Sequence, residues 1–339
     1  DKSPLQLSKA LIEDHQGYKN LIYSCFLCGL CASVCPLSLS PKEMFEEWRR
    51  KLVDEGVAPL KNHAFSMTDK KWNIYTLYRE NYGIDYSDLM KSSCETAFFP
   101  GCNMATFAPQ LTREVLRLVN SSFPSSGIVV ECCQKPIHDI GLQKRFEDAL
   151  GRLQLKLSGL GVKKLITACP NCFYTLRENL QGIEVITVYN LIEEKDIRIP
   201  STQKITIHDS CPDRAEGLFA SKVRGLLKNL QIVEMEHSRD RALCCGAGGL
   251  SSTVSQDLAL ANVKKRLEEA RNVNADLILT YCVTCMNMLR VIPSKAKVLH
   301  VLNLILGVEE DYSQVQSNLQ KLFTGPKAKE NIMKITQQI

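Results

Sequence analysis

Five cysteines recur twice in one order, and no other feature restricts the fold as much. The first set is Cys102, the pair Cys132-Cys133, then Cys169 and Cys172, spaced C-x29-CC-x35-C-x2-C. The second is Cys211, the pair Cys244-Cys245, then Cys282 and Cys285, spaced C-x32-CC-x36-C-x2-C, offset by 109 to 113 residues. A lone CxxC is weak. A vicinal pair between a single Cys and a CxxC, repeated, requires two similar units that each gather five distant thiols.

Each repeat reads as alternating strands and helices. A short apolar run precedes the first Cys (Ala97-Phe98-Phe99; Ile205-Thr206-Ile207). A helical segment follows, with Leu111, Val115 and Leu118 in one repeat and Leu218, Val223 and Leu226 in the other. A second strand, Ile128–Val130 or Ile232-Val233, leads to the CC pair, and a longer helix is expected over about 139–158 or 253–272. The third strand (Leu165–Thr167; Leu277–Thr280) runs into the CxxC, and a fourth strand and short helix close the unit. This alternation predicts parallel α/β layers. The cysteines then fall at the C-terminal strand ends, the edge where ligands gather in such sheets. Helix N-termini there favour thiolate over thiol.

The 339 residues suit two or three domains of about 100–200 residues each. The expected division is 1–93, helical; 94–200 and 201–310, the two repeats; and 311–339, a tail that from Gly325 is basic and amphipathic, a docking element or a frayed end. Fifteen cysteines with only six histidines, clustered as CxxC and CC without a signal-peptide pattern, point to metal binding in the cytoplasm rather than to disulfides. No apolar stretch approaches the ~20 residues of a membrane helix.

Before the repeats stands Cys25-Phe-Leu-Cys28-Gly-Leu-Cys31-Ala-Ser-Val-Cys35-Pro36. This C-x2-C-x2-C-x3-C-P run is the cysteine pattern of bacterial-type [4Fe–4S] ferredoxins, in which the fourth Cys of a two-cluster protein ligates the other cluster. One such run leaves its fourth ligand open among Cys35, Cys94 (the one thiol outside the three groups) and a partner chain. A zinc knuckle is the competing reading. Ser40-Pro41-Lys42-Glu43 then reads as a capping box opening a helix that ends near Gly56. Three four-thiolate [4Fe–4S] sites would bring the formal charge of +5 to about −1, and no block of like charge suggests a nucleic-acid partner.

Five thiols exceed the four that zinc or a cubane requires. Adjacent thiolates such as Cys132-Cys133 suit two irons of an opened cluster; zinc with a spare thiol, or a catalytic dithiol, are the alternatives. The stretches Phe98-Phe-Pro-Gly-Cys102, Thr167-Ala-Cys-Pro-Asn-Cys172, His208-Asp-Ser-Cys211, Cys244-Cys-Gly-Ala-Gly-Gly249 and Thr280-Tyr-Cys-Val-Thr-Cys285 resemble the tandem CCG domains of the heterodisulfide reductase catalytic subunit family. A ferredoxin-type run ahead of them resembles the fused form. Relatives include iron–sulfur subunits of glycolate, lactate and anaerobic glycerol-3-phosphate oxidation and of electron-bifurcating complexes.

The resemblance implies two non-cubane [4Fe–4S] clusters. Cys102, Cys132, Cys133, Cys169 and Cys172 would ligate one, and Cys211, Cys244, Cys245, Cys282 and Cys285 the other, with a disulfide clamped between them. It departs from the family in having one ferredoxin-type run where two are usual, and in Gln134, where the motif has the Gly that Gly246 supplies. His208 could serve as proton donor or as a structural hydrogen-bonder, and His138 reads similarly. With no dinucleotide fingerprint, electrons are expected from a flavin-containing subunit and other iron–sulfur subunits, with a membrane or bifurcating module that would make the chain peripheral at a membrane. The expected activity is disulfide reduction; the rival is an electron relay between a flavoprotein dehydrogenase and quinone or ferredoxin.

Overall fold

Strands β1 (Thr96–Phe99), β2 (Gly127–Ile128), β3 (Lys164–Thr167) and β4 (Glu184–Thr187) form one parallel sheet in the order β2-β1-β3-β4. Strands β5 (Ile205–His208), β6 (Leu277–Thr280) and β7 (Lys297–His300) form a second parallel sheet, and Ile232 bridges in parallel to Ile205 where β2 stands in the first. The computed structural model describes residues 4–193 and 203–338.

The strands read as unbroken apolar runs because helices cover both faces, as parallel sheets require. Phe98, Phe99, Ile205, Ile207 and Leu279 are wholly buried. The helix Pro109–Ser122 starts with Pro in its first turn and buries Leu111, Val115, Leu116 and Val119. The expected helix over 139–158 is split: Lys135–Ile140 stops at Gly141 (φ +95°), and Gln143–Gly159 continues. Gly141 is required because a Cβ there would stand 2.7 Å from the Arg49 carbonyl oxygen.

The N-terminal residues are helical: Pro4–Asp14, Lys19–Ser24 and Pro41–Asp54 pack Leu11, Ile22, Phe45 and Leu52 together. Ser40 Oγ accepts from the Glu43 N–H (3.5 Å) with Pro41 at the first position, so Ser40 caps the helix, but the returning Glu43 side-chain bond of a full capping box is not among the described contacts. The tail folds back onto this end. Ile335, from the helix Ala328–Thr336, packs with Ala64 and Leu77, and Lys334 lies 4.5 Å over the Trp72 ring. Of the aromatics between 57 and 93, Tyr78 and Tyr86 are buried in the core. No described helix is long and apolar enough to cross a membrane.

Candidate metal centres

The C-terminal end of β1 passes through Pro100 and Gly101 into Cys102; β2 leads to Cys132-Cys133; β3 leads to Cys169, which caps the helix Pro170–Asn179 carrying Cys172. All five thiols meet at this edge. Cys102 Sγ lies 3.7 Å from Cys132 Sγ, and Cys133, Cys172 and Cys169 interact in turn. Gly101 (φ +72°) permits the approach, because a Cβ there would stand 2.7 Å from Cys172 Sγ. The second set repeats the arrangement: Cys211 meets Cys244, and Cys245 and Cys282 each meet Cys285.

Gln134 keeps the backbone of the glycine it replaces. Its φ is +65° against +95° for Gly246, and its N–H donates to Cys132 Sγ at 3.4 Å, as Gly246 N–H does to Cys244 Sγ at 3.4 Å. The amide side chain holds the strained position, accepting from Thr68 Oγ1 (3.0 Å) and donating to the Cys132 carbonyl (3.3 Å). Gly246 has no such latitude: a Cβ there would stand 2.5 Å from the Ala259 carbonyl oxygen.

Each set divides its protons unequally. Hydrogen bonding to Cys132, with burial, pushes the Cys102 thiol up, while the bonds from Cys102 and Cys133 hold Cys132 well down. Cys211 and Cys244 repeat this pairing. Crowded buried thiols cannot all ionise without a compensating cation.

His208 ends β5 with a ligand atom within 4.8 Å of those of Cys245 and Cys285. Its Nδ1 accepts from Arg266 Nε (3.2 Å), so Nε2 carries the proton, buried and without a protein partner. Burial, with Arg266 beside it, pushes this imidazole down to about 3. These contacts make His208 a neutral hydrogen-bonder facing sulfur. His138 instead stacks edge-on against Phe146, 5.1 Å away. Asp209 anchors the Cys211 loop. Burial works to raise its carboxyl, but the bidentate bonds from Arg224 (2.7 and 2.9 Å) outweigh burial and hold it below the usual range.

The N-terminal run lies against the second set. Cys25, Cys28 and Cys31 interact, and Cys28 also feels Cys244. Burial pushes the Cys25 thiol up to about 11. Cys35 follows the short helix Leu30–Ser33. Arg214, three residues past Cys211, donates from Nε to the Cys28 carbonyl (2.9 Å). A Cβ on Gly248 would stand 2.3 Å from the Phe26 carbonyl oxygen, and one on Gly249 2.5 Å from that of Cys25. Arg49, wholly buried, donates to the carbonyls of Cys25 (2.8 Å), Asp139 (2.7 Å) and Gly249 (2.7 Å), clasping the N-terminal helices and both repeats. Cys94 does not join the run. It precedes β1, its N–H bonds the Leu160 carbonyl (2.9 Å), and its Sγ abuts Gly127 where β2 begins. That is the edge opposite the thiols, about 13 Å away along a four-residue strand.

The two sets share one cavity of about 740 Å³, lined by Cys102, Cys133, Cys169 and Cys172 from the first and Cys211, Cys245, Cys282 and Cys285 from the second. Cys169 and Cys282 interact across it. Tyr174 joins the walls by donating to Asp213 (2.6 Å). His300 also lines the cavity; its Nδ1 accepts from the Leu302 N–H (3.3 Å), which leaves Nε2 buried without a protein partner.

These features fit iron–sulfur clusters. The donors are soft thiolates, more than zinc needs. Backbone N–H groups point at Cys132 and Cys244, glycines stand where a Cβ would collide with sulfur, and His208 Nε2 is an orphaned donor beside two thiols. Sequence reasoning missed Arg49, Arg214 and His300. Arg49 and Arg214 carry no local motif, because their partners are carbonyls 24 to 200 residues away.

A family model of the cysteine-rich domain, CCG, matches residues 96–177 and 205–290. The chain is 28% identical over 315 residues to a subunit of the dihydromethanophenazine:CoB–CoM heterodisulfide reductase of Methanosarcina barkeri, covering 83% of this chain and 75% of that protein. It is 27% identical over 285 residues to a subunit of the fumarate reductase (CoM/CoB) of Methanothermobacter marburgensis, covering 79% of this chain and 57% of the relative. It is 24% identical over 322 residues to the EtfAB:quinone oxidoreductase of Syntrophomonas wolfei, covering 84% and 45%. It thus spans about half the length of these last two. A hypothetical protein from Helicobacter pylori, of known crystal structure, shares the fold alone: TM-score 0.52, 10% identity, 93% of this chain and 67% of that one. The chain belongs to the tandem CCG-domain iron–sulfur redox proteins, the family that includes this heterodisulfide reductase subunit.

Proposed function

We propose that the chain is the iron–sulfur subunit of a complex that reduces a disulfide in the cavity between its two CCG domains. The observation carrying this reading is the cavity itself: thiols of both sets line a single space of about 740 Å³. Clusters supply one-electron transfers at three places: a [4Fe–4S] cubane at Cys25, Cys28, Cys31 and Cys35, and five-thiolate non-cubane [4Fe–4S] clusters at the Cys102 and Cys211 sets. Disulfide reduction takes two electrons and two protons. The S–S bond breaks, each sulfur gains one electron and one proton, and two thiols leave. Clusters held by the thiol sets on the two sides of the cavity would supply those two electrons one from each side, so that neither half need leave as a thiyl radical. His300 offers an N–H donor on the cavity wall.

The packing of the N-terminal run on the second set supports entry of electrons at residues 1–93, the helical domain, and onward passage to 201–310 and then 94–200. The tail 311–339 would brace the entry domain. A flavin-containing donor subunit and other iron–sulfur subunits would complete the path in the cytoplasm, with a membrane or bifurcating module attached.

The test is EPR of the anaerobically purified, oxidised holo-protein with a panel of thiols and disulfides. A new paramagnetic signal that depends on the thiol added is expected. A spectrum indifferent to every thiol and disulfide would leave the relay between a flavoprotein dehydrogenase and quinone or ferredoxin, and a colourless protein with stoichiometric zinc would replace both.

A further inference from the structure

A second cavity of about 380 Å³ opens on the outer flank of the first thiol set, against Cys102 and Cys132. Five cations from two separate stretches line it: Lys70, Lys71 and Arg79 from the N-terminal part, Arg152 and Lys156 from the helix Gln143–Gly159. Its two acids are already engaged. Asp69 pairs with Arg145 at 2.7 Å, and Glu131 with Lys156 at 2.5 Å. Among the described residues, Lys70, Lys71, Arg79 and Arg152 form no ion pair with a carboxylate, although Lys71 lies 5.0 Å over the Trp72 ring and Arg79 faces Glu131 and the Cys102 and Cys132 thiols. Arg79 is half-buried, and its Nη1 donates only to the neutral Thr106 Oγ1 (2.8 Å). Tyr75 lines this cavity and the central one alike, and its hydroxyl accepts from Asn103 (3.2 Å), so the two spaces share a wall of fixed side chains.

Unpaired cations around a concave space are the recognition chemistry of anions. The volume is at the small end for ligand pockets. We propose that this cavity binds a small organic polyanion, carrying two or more carboxylate, phosphate or sulfonate groups, against the outer face of the first thiol set and apart from the central cavity. Half-buried Lys70 and Arg79 hold one anionic group, and exposed Lys71 and Arg152 hold another. An anion there opposes the addition of negative charge at the adjacent thiol set. By linkage it binds the oxidised protein more tightly than the reduced one.

Titration calorimetry on the anaerobic holo-protein tests this, with succinate and ethane-1,2-disulfonate as non-metal probes at constant ionic strength and methanesulfonate as the singly charged control. Saturable binding of at least one dianion is expected, with methanesulfonate much weaker. Lys71→Gln and Arg152→Gln lie at the surface and leave folding intact; each should weaken binding about tenfold, the value of one charge-assisted contact. Arg79→Gln should weaken it further. Electrochemically reduced protein should bind less tightly than oxidised protein. No saturable binding in the millimolar range, affinities untouched by these variants, or equal affinity in both redox states would each overturn the proposal and leave the cations as counter-charge to the thiol set. Binding does not depend on disulfide turnover, so the two proposals fail separately.

Discussion

Cys169 of the first CCG domain and Cys282 of the second face each other at the central cavity, near enough to interact: Cys169 holds the Cys282 thiol down, while Cys169 answers to Cys172 first and to Cys282 second. Both cysteines follow the third strand of their repeat, and both cap the next helix. The duplication therefore builds two half-sites whose reactive edges meet. Replacing either with Ser should abolish the thiol-dependent EPR signal and cut disulfide turnover by more than the ~10–100-fold of outer-shell changes at metal sites. The double variant should be no worse than either single one, because both serve one space. Additive losses would mean that the half-sites work independently.

Gly101 and Gln134 make a contrasting pair. Gly101→Ala puts a methyl 2.7 Å from Cys172 Sγ at φ +72° and should cost the first set its metal, about four iron per chain. Gln134→Gly keeps the left-handed backbone and the N–H bond to Cys132, so its iron content should match the parent. Iron assay of both proteins checks this; full iron in Gly101→Ala would contradict the assigned packing.

Arg49 is the clasp of the assembly. Arg49→Leu leaves the buried carbonyl of Gly249 and the half-buried carbonyls of Cys25 and Asp139 without this donor. At about 1–3 kcal/mol for each such group, the loss should reach about 3 kcal/mol or more. Arg49→Lys keeps the charge without the planar fork and should fall between. Denaturant unfolding, with limited proteolysis of the N-terminal helices, measures it. A change below about 1 kcal/mol would show that apolar contacts alone hold the module.

His63 gives the docked N-terminal module a pH dependence. It is wholly buried, its Nδ1 lies 2.9 Å from Thr253 Oγ1, and burial pushes it down to about 4. The unfolded imidazole titrates near ~6.5. Between these values the unfolded chain binds the extra proton, so this contribution is complete above about pH 6.5 and is lost as the pH falls toward 4. By about pH 5 the loss is on the order of 2 kcal/mol. Urea midpoints at about pH 7.5 and 5 should converge in His63→Gln relative to the parent. Equal pH slopes in the two proteins would exclude His63 as the source.

The duplicated spacing carried the architecture because Cys102, Cys169, Cys211 and Cys282 each follow an apolar run too short for a helix, and parallel strands deliver such positions to one edge. The Ser40 N-cap was legible because its chemistry is local, though the reciprocal Glu43 bond expected with it does not form. Arg49 was not, since in sequence it is one basic residue between Trp48 and Arg50, and its partners are assembled only by folding. Counting thiols made Cys94 a spare ligand, yet strand direction puts it at the wrong end of β1. Gln134 read as a break in the motif because the sequence shows the residue, not its φ. The tail read as a docking element or a frayed end because Trp72 and Leu77, its cover, lie some 250 residues earlier.

Iron and acid-labile sulfide per chain, measured on protein purified without oxygen, test the central claim most directly. Three thiol sets holding one four-iron cluster each predict about 12 iron and no stoichiometric zinc. About four iron per chain would contradict it, leaving one cluster for three thiol sets and no pair of clusters facing each other across the cavity.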